Sequence, residues 1–283
     1  MVKYYLIIIQ LLFVQVVFSQ EKKNDIYEPN RLKFGLKEKE IVDYTTMRFY
    51  YALNATDIKD KETYIDLGML QIGGKMSKYS SAFLAHSDSL LIDWHKQHPN
   101  ADAIPHHLDL SGREGGIWIE YQYSEYFVED GKLTEWAVMP RFAEKECTRY
   151  TEPYPLMKWT IEKESAVICG YKCQKATCHF RGRDFEAWFA SSIPIRKGPW
   201  KFGGLPGLIM KVYDKDHYYT FECVKVEKGK FPIVKFPDKY FPEQTRAKVY
   251  KLQIKMNNDY DDSVGLMWLY TKKQYEYHPL ELE

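Results

Sequence analysis

Short segments in which apolar and polar side chains alternate dominate the chain. Apolar residues fall on every second position in residues 157–161 and 250–256, and on four of the five alternate positions in residues 119–127. Because successive side chains of a strand point to opposite faces of a sheet, this period of two predicts half-buried strands. Residues 47–53 and 64–72 have the same character and are predicted to pair with each other.

Turn signals separate these segments. Gly, Asp and charged residues cluster at 129–131, 181–184 and 214–216, and a further hairpin turn is predicted at 163–165. Strands that follow one another through short turns favour an antiparallel meander. One open, strongly curved sheet, or half-barrel, suits such a meander, and a two-sheet β-sandwich is the alternative.

One main stretch has helical spacing. Residues 81–97 carry Phe83, Leu84, Leu90, Leu91 and Trp94 on a 3.6-residue period, and Pro99 ends the pattern. Residues 242–248 are predicted to form a short helical turn before the strand that begins at Val249. The fold class is therefore mainly β, with one or two helices packed on the sheet.

The N-terminus has the pattern of a secretory signal peptide. Lys3 precedes an apolar run over residues 6–18, and small or modest side chains precede a cleavage site between Ser19 and Gln20. No later stretch approaches the roughly 20 apolar residues that a spanning helix needs. We therefore expect an exported protein with a single domain over residues 20–283 and no transmembrane span in the mature chain.

The composition argues against a nucleic-acid partner and is consistent with the predicted strands. The 40 basic and 39 acidic side chains nearly cancel, which argues against nucleic-acid binding. The 23 tyrosines, 15 phenylalanines and 7 tryptophans favour strands, where aromatic rings pack on a pleated surface. Platforms that stack on sugars are the alternative use of these rings.

Five cysteines lie beyond the signal peptide, namely Cys147, Cys169, Cys173, Cys178 and Cys223. A turn at 163–165 would place Trp159 opposite Cys169, and extending that register brings Cys147 close to Cys178. We therefore predict a Cys147–Cys178 disulfide, which an exported protein permits. Cys169 and Cys173, four residues apart on one strand, are about 13 Å apart and too distant to bond each other.

Metal binding is the competing hypothesis for two clusters. Cys169, Cys173, Cys178 and His179 fall close together in sequence, but on a strand they point to both faces. The other cluster is His86, His95, His98, His106 and His107, for which solvated surface histidines are the simpler interpretation. We predict neither a metal site nor a cofactor.

No catalytic constellation is recognisable, and we predict no catalytic residue. The Gly-x-Ser-x-Gly motif of a nucleophile elbow does not occur. Glu120, Glu125 and Glu135 are candidates for a glycoside-hydrolysing carboxylate pair, but the separation that this chemistry requires cannot be obtained from sequence. An unrecognised hydrolase remains an alternative.

Prolines and glycines concentrate in residues 194–207, which we call the crossover. Each proline fixes φ, and Pro206-Gly207 is a favoured central pair of a type II turn. A strand-like run follows at Leu208, whereas a phosphate-binding loop would lead into a helix. The crossover is therefore predicted to be a stiff connection between neighbouring strands without reaction machinery.

Aromatic and basic side chains alternate within the crossover. Trp200 and Phe202 lie among Arg196, Lys197 and Lys201. A rigid loop of this composition makes an efficient docking surface for a partner. The alternative, which we favour, is that both rings pack under the sheet while the cations remain in solvent.

The segment "GGLPGLI", residues 203–209, resembles the motif that names the GLPGLI family, which also has a Porphyromonas gingivalis label. The resemblance extends upstream through "GYKCQKATCHFRGRDFEAWFASSIPIRKGPWKF", residues 170–202, and includes the ending "HPLELE". Cys178 stands where that family suggests threonine. The crossover positions that carry the family motif are Pro194, Gly198, Pro199, Trp200, Gly204, Leu205, Pro206, Gly207, Leu208 and Ile209.

The resemblance implies an exported, β-rich protein of Bacteroidota, in the periplasm or at the outer membrane. It implies no activity, because the family has none that is generally established. Some members are encoded near TonB-dependent outer-membrane receptors, which suggests an envelope binding or accessory protein. Such a receptor, another envelope protein and an apolar ligand are the partners considered. A structural interaction module without a ligand is the alternative function.

Overall fold

The computed structural model describes residues 35–101, 120–140, 143–259 and 277–283. These residues form twelve strands and three α-helices. In chain order they are β1 (Glu40–Leu53), β2 (Asp66–Gly73), β3 (Met76–Ser81), α1 (Ala82–Gln97), α2 (Glu120–Tyr123), β4 (Glu125–Glu129), β5 (Lys132–Ala137), β6 (Thr148–Pro153), β7 (Thr160–Ile168), β8 (Tyr171–Phe180), β9 (Arg183–Ala190), β10 (Leu208–Asp214), β11 (Thr220–Lys228), β12 (Pro232–Lys235) and α3 (Arg246–Asn258).

All twelve strands belong to one antiparallel sheet, with the order β6-β5-β4-β3-β2-β1-β11-β10-β9-β8-β7, and β12 pairs with the first part of β1. The path does not close on itself. A sheet of many twisted strands coils. Side chains link the two ends of this sheet, because Arg181, which follows β8, contacts Glu152 on β6 at 2.7 Å. The open curved sheet is therefore confirmed, and the sandwich alternative is wrong.

The core follows the alternation of the strands. Phe49 and Tyr51 on β1, Phe185 and Phe189 on β9, and Phe221 on β11 are buried on one face. A second apolar cluster lies around α3, β5, β6 and the segment that follows β12. The period-two pattern therefore places these aromatic side chains on the buried face of the sheet.

The predicted turns at 129–131 and 181–184 are confirmed. Asp130 and Gly131 have φ of 47° and 71°, and Arg181 and Gly182 have φ of 47° and 80°. Two successive positive φ values are the mark of the type I′ turn, whose twist matches that of paired strands.

The hairpin turn predicted at 163–165 is wrong. The chain turns instead at Cys169-Gly170, with φ of 49° and 81°, because glycine accepts a left-handed conformation readily. Strand β7 continues through the predicted turn, and its register against β8 shifts between Ile161 and Ser165. The polar residues there form a bulge within a strand.

Helix α1 confirms the helical prediction for residues 81–97. Ser81 is its N-cap, and the Ser81 Oγ accepts a hydrogen bond from the Leu84 backbone N–H at 3.1 Å. No helix in the described residues is long and apolar enough to cross a bilayer.

Two predicted strands are helical. Residues 250–256 belong to α3, whose buried side chains Val249, Gln253 and Met256 recur every three or four positions. Lysine, leucine, glutamine and methionine favour helices, and the Thr245 hydroxyl caps the first turn by accepting from the Lys248 N–H. The predicted strand at 119–127 is likewise divided, since Glu120–Tyr123 forms one helical turn before β4.

Candidate functional site

The crossover joins β9 to β10, which pair with each other, so Ala190 lies opposite Leu208. Hydrogen bonds within the segment stiffen it, from the Gly204 N–H to the Arg196 carbonyl at 3.2 Å and from the Ile209 N–H to the Lys197 carbonyl at 3.0 Å. Of the motif positions, Pro194, Gly204 and Pro206 are exposed, and Gly198, Pro199, Trp200, Leu205, Gly207, Leu208 and Ile209 are buried.

The Pro206-Gly207 pair does not form the predicted type II turn. That turn requires a positive φ at its second central residue, and the left-handed glycine of the crossover is Gly204, with φ of 95°. Gly207 instead permits a close approach, because a Cβ there would lie 2.3 Å from the Ala190 carbonyl oxygen. The glycine allows the crossover to pack directly on the end of β9.

The aromatic side chains of the crossover pack into the core. Trp200 and Phe202 are both buried, with ring centroids 5.1 Å apart, and Phe202 packs edge-to-face on Phe185 at 4.9 Å. The structure therefore agrees with the packing hypothesis for these two rings and does not present them as a docking surface.

Lys201 departs from the expectation that the crossover cations remain in solvent. Its side chain is 4 % exposed. The ammonium donates to the Tyr150 hydroxyl at 2.8 Å, lies 3.3 Å from both carboxylate oxygens of Glu281, and lies 3.2 Å from Glu135. The burial of this ammonium is possible because two carboxylates and the Tyr150 hydroxyl surround it.

Glu281 belongs to the C-terminal segment, residues 277–283, which contacts the β8–β9 turn, the start of β9 and α3. Arg181 and Arg246 also contact its carboxylate, with Arg246 at 2.7 Å. Burial by itself would raise the pKa of Glu281, but the charges of Lys201, Arg181 and Arg246 outweigh it and lower the pKa to about 2. The carboxylate is therefore ionised at neutral pH and holds the chain end in place.

We call this arrangement the Lys201 cluster. Its charges balance, since Arg181, Lys201 and Arg246 face Glu135, Glu152 and Glu281. A buried group of charges is tolerated only when each charge has partners of opposite sign and hydrogen bonds. The cluster joins β5, β6, the crossover, α3 and the C-terminal segment.

Glu120 lies beside the Lys201 cluster, and none of the ion pairs found among the described residues involves its carboxylate. The Asn257 amide donates to its carboxylate at 2.7 Å, and the Tyr277 hydroxyl donates to the other oxygen. Burial raises the pKa of Glu120 to about 7, although these hydrogen bonds oppose the shift. Glu120 therefore exchanges a proton near neutral pH.

Glu120→Gln is expected to change how stability depends on pH. Between the ordinary value of 4.5 and about 7, the folded protein holds a proton that the unfolded chain has lost, so stability falls as pH rises. The free energy of unfolding of the parent should therefore fall between pH 4.5 and pH 8 by about 2–3 kcal/mol more than that of the variant, which lacks the titrating group. Urea unfolding at both pH values measures this difference, and exposed Glu129→Gln is the control. Parallel pH profiles for Glu120→Gln and the parent would contradict the assignment.

A cavity of about 20 Å³ lies between Glu120 and the Lys201 cluster, which is room for one water molecule. Glu120, Glu135 and Glu281 contribute its acids, and Lys201 contributes its cation. The remaining lining residues are Tyr121, Tyr126, Trp200, Tyr250, Gln253, Tyr277, Pro279 and Leu280. The site can hold and exchange a proton, but the space does not admit a sugar ring.

The candidate carboxylates separate into two groups. Glu120 and Glu135 line the same cavity. Gln253 connects them: its side-chain amide donates to Glu135 at 2.6 Å, and its backbone carbonyl accepts from the Asn257 amide that also contacts Glu120. Glu125 lies elsewhere and pairs with Lys39 at 2.9 Å and Lys78 at 2.8 Å. The sequence pattern indicated neither the burial of Lys201 nor the role of Glu281, because the two residues are 80 positions apart in the chain.

The predicted Cys147–Cys178 disulfide is not formed, and all five cysteines are in the reduced state. Cys147 lies in the second apolar cluster, where the Met139 N–H donates to its sulfur at 3.3 Å, whereas Cys178 lies in the main cluster. The prediction relied on a turn at 163–165, and the turn at Cys169-Gly170 changes that register.

Neither metal hypothesis brings its residues together. Within the described ranges, no group of three or more His, Cys, Asp or Glu side chains is arranged to hold a metal ion. Cys178 is buried, while His179 is exposed and contacts Asp184 at 2.7 Å. His95 contacts Lys37, and the His98 ring contacts the Trp94 carbonyl. His106, His107, Ser19 and Gln20 lie outside the described residues.

Comparisons with known proteins give one family match. Residues 179–211, which contain β9, the crossover and the start of β10, match a family model described as "Protein of unknown function (Porph_ging)". Among curated proteins, no sequence matches this chain.

Solved structures share part of the backbone arrangement. PNGF-II in its C2 and P21 crystal forms is 12 % and 13 % identical, with TM-scores of 0.44 and 0.45, over 74 % and 76 % of this chain. These matches cover 32 % and 34 % of PNGF-II, so the chain spans about a third of that protein's length. An uncharacterized conserved protein from Thermus thermophilus is 5 % identical, with a TM-score of 0.36, over 71 % of this chain and 91 % of that protein.

Proposed function

We propose that the protein is an exported accessory protein of the bacterial cell envelope that works by binding another protein. In this proposal, cleavage between Ser19 and Gln20 releases one domain of residues 20–283, of the GLPGLI type, into the periplasm. The partner is a TonB-dependent outer-membrane receptor. The resemblance in the crossover and the N-terminal pattern support the compartment and the class of partner.

The observation that carries the binding mode is the packing of aromatic rings on the buried face of the curved sheet. Among the described residues, rings from β1, β9 and β11, together with Trp200 and Phe202, occupy this face, and the C-terminal segment contacts α3. An apolar ligand of drug size needs a pocket of roughly 300 Å³ or more, whereas the cavity beside Lys201 is about 20 Å³. This favours a partner on the outer surface over a carried ligand. It also gives no support to a hydrolase.

The outer edge of β7 is the surface best suited to a protein partner. Among the described strands, β7 pairs with β8 only. Val167 is 73 % exposed, Ile161 is 47 % exposed, and Leu156, which precedes the strand, is 91 % exposed. An open edge next to apolar side chains can accept an extended segment as an added strand. The bulge between Ile161 and Ser165 confines the regular part to Ser165–Ile168.

Photocrosslinking tests this proposal directly. A benzoylphenylalanine at position 167 should form a discrete adduct with a TonB-dependent receptor when irradiated in the native envelope. The same residue at position 59, which is exposed but remote from β7, should not. Equal adducts at both positions, or an apolar small molecule that copurifies in stoichiometric amount, would contradict the proposal.

A further inference from the structure

Side chains from the rest of the chain hold the backbone of the C-terminal segment. Its residues belong to no helix or strand of the described structure. The Tyr219 hydroxyl donates to the His278 carbonyl, and the Arg183 guanidinium donates to the Pro279 carbonyl at 2.8 Å. Because every peptide has backbone carbonyls, contacts of this kind position a segment without dictating its composition.

Helix α3 holds the second half of the segment in the same way. The Tyr250 hydroxyl donates to the Glu281 carbonyl, and the Arg246 guanidinium donates to the Glu283 carbonyl at 2.6 Å. We call the surface that binds the segment the segment site. Its residues are Arg181, Arg183, Lys201, Tyr219, Arg246 and Tyr250.

Two adjacent side chains of the segment give the segment site its selectivity. Leu280 is buried and belongs to the main apolar cluster. The carboxylate of Glu281 contacts all three cations of the Lys201 cluster. Leu282, by contrast, is exposed. The segment site therefore selects an apolar residue that is followed by an acidic one.

The charge of the segment site requires an acidic occupant. Without Glu281, the three cations of the Lys201 cluster would face only two carboxylates, those of Glu135 and Glu152, and a net charge of +1 would remain (three minus two). A buried charge without a partner is costly. This complementarity favours an acidic segment over a neutral or basic one.

We propose that the segment site binds a short segment of a partner protein in which an apolar residue precedes an acidic one, and that residues 277–283 occupy the site when this partner is absent. The inference rests on the contacts and charges of the segment site alone. It does not depend on the receptor proposed above or on the edge of β7.

The connection to α3 is long enough for residues 277–283 to leave the segment site. The helix ends at Asn258, and 18 residues, 259–276, follow before the segment. A chain of this length spans at most about 60 Å. The tether also keeps the segment near its site at an effective concentration of roughly millimolar. A partner segment must therefore displace a competitor of that strength.

Fluorescence anisotropy with a labelled peptide that copies residues 277–283 tests the inference on the full chain. Because the parent's own segment competes, full-length Glu281→Gln supplies a more accessible segment site. The peptide should bind Glu281→Gln saturably and about tenfold or more tightly than it binds the parent, since only the competing segment has lost its charge-assisted contacts. Full-length Leu280→Ala, which weakens the apolar anchor instead, should also bind the peptide more tightly than the parent does.

A second peptide and two further variants test the selectivity. A peptide with glutamine at the position of Glu281 should bind Glu281→Gln about tenfold less tightly than the unaltered peptide does. Adding Arg246→Gln to Glu281→Gln should weaken binding of the unaltered peptide, whereas adding Lys248→Gln, an exposed charge on the same helix, should not. Equal affinities for the two peptides, or no saturable binding to either opened variant up to about 1 mM, would overturn the inference.

Sedimentation of the parent chain distinguishes a partner protein from a second copy of this chain. Two copies that exchanged residues 277–283 would form a dimer, and Glu281→Gln would weaken that dimer. We expect a monomer at micromolar concentrations. A dimer that depends on Glu281 would assign the segment site to self-association and overturn the assignment to a partner protein.

Discussion

Replacing Lys201 by methionine is expected to lower the free energy of unfolding by about 3–5 kcal/mol, because the change leaves buried Glu135 and Glu281 without their shared cation. Methionine keeps the length and apolar stem of the side chain, so the loss reports the charge rather than a cavity. Urea unfolding at pH 7 measures it. The variant should also release the C-terminal segment, which faster hydrogen exchange in residues 277–283 would show.

Lys197→Met is the matched control for Lys201→Met. Lys197 lies in the same crossover, its ammonium sits 3.8 Å from the centre of the Tyr154 ring, and burial lowers its pKa to about 8. Removing a cation that burial already disfavours should leave stability unchanged or raise it slightly. Adding Glu281→Gln to Lys201→Met should recover part of the lost free energy of unfolding, since it removes one of the carboxylates that no longer has the Lys201 ammonium as a partner. If Lys201→Met costs no more than Lys197→Met, the Lys201 cluster does not stabilise the fold.

Trp200→Ala is expected to cost about 3–5 kcal/mol as well, because it opens a cavity under the crossover. The ring is buried against Phe202 and near the Lys201 ammonium, which lies 4.9 Å from its centroid. For a domain of this size, the loss should lower the melting temperature by roughly 6–20 °C. Thermal unfolding followed by circular dichroism measures the shift.

Leu156→Ala is the control for Trp200→Ala. Leu156 is 91 % exposed, and its truncation should change stability by no more than about 0.5 kcal/mol. A Trp200→Ala protein that melts at the parent temperature would refute the packing role and restore the docking hypothesis for the crossover.

The alternation of apolar residues predicted the β-rich class because each strand buries one face of a single sheet. Residues 47–53 and 64–72 pair as β1 and β2. The same criterion failed at residues 250–256, where spacing of two and spacing of three to four both fit a short run of large side chains. The Thr245 cap and the contacts of Val249 and Gln253 decided in favour of a helix.

In the crossover too, some features could be predicted from local sequence and others depended on tertiary contacts. Its prolines and glycines indicated a stiff link between neighbouring strands, since their effects on φ are local. The role of Gly207 was not local, because it depends on how closely the Ala190 carbonyl approaches. The burial of Lys201 required Glu135 and Glu281, which lie 66 and 80 residues away in the chain.

Local chemistry alone predicted an antiparallel meander with one main helix and a rigid link before Leu208, but it left open whether the strands form one curved sheet or a sandwich. The alternation of side chains and the allowed backbone angles depend on a few neighbouring residues, so both can be predicted from a short stretch of sequence. The charges that meet around Lys201 and the proton held by Glu120 arise only when distant segments pack together. Such contacts join distant segments, and their energies depend on burial that no short stretch of sequence contains.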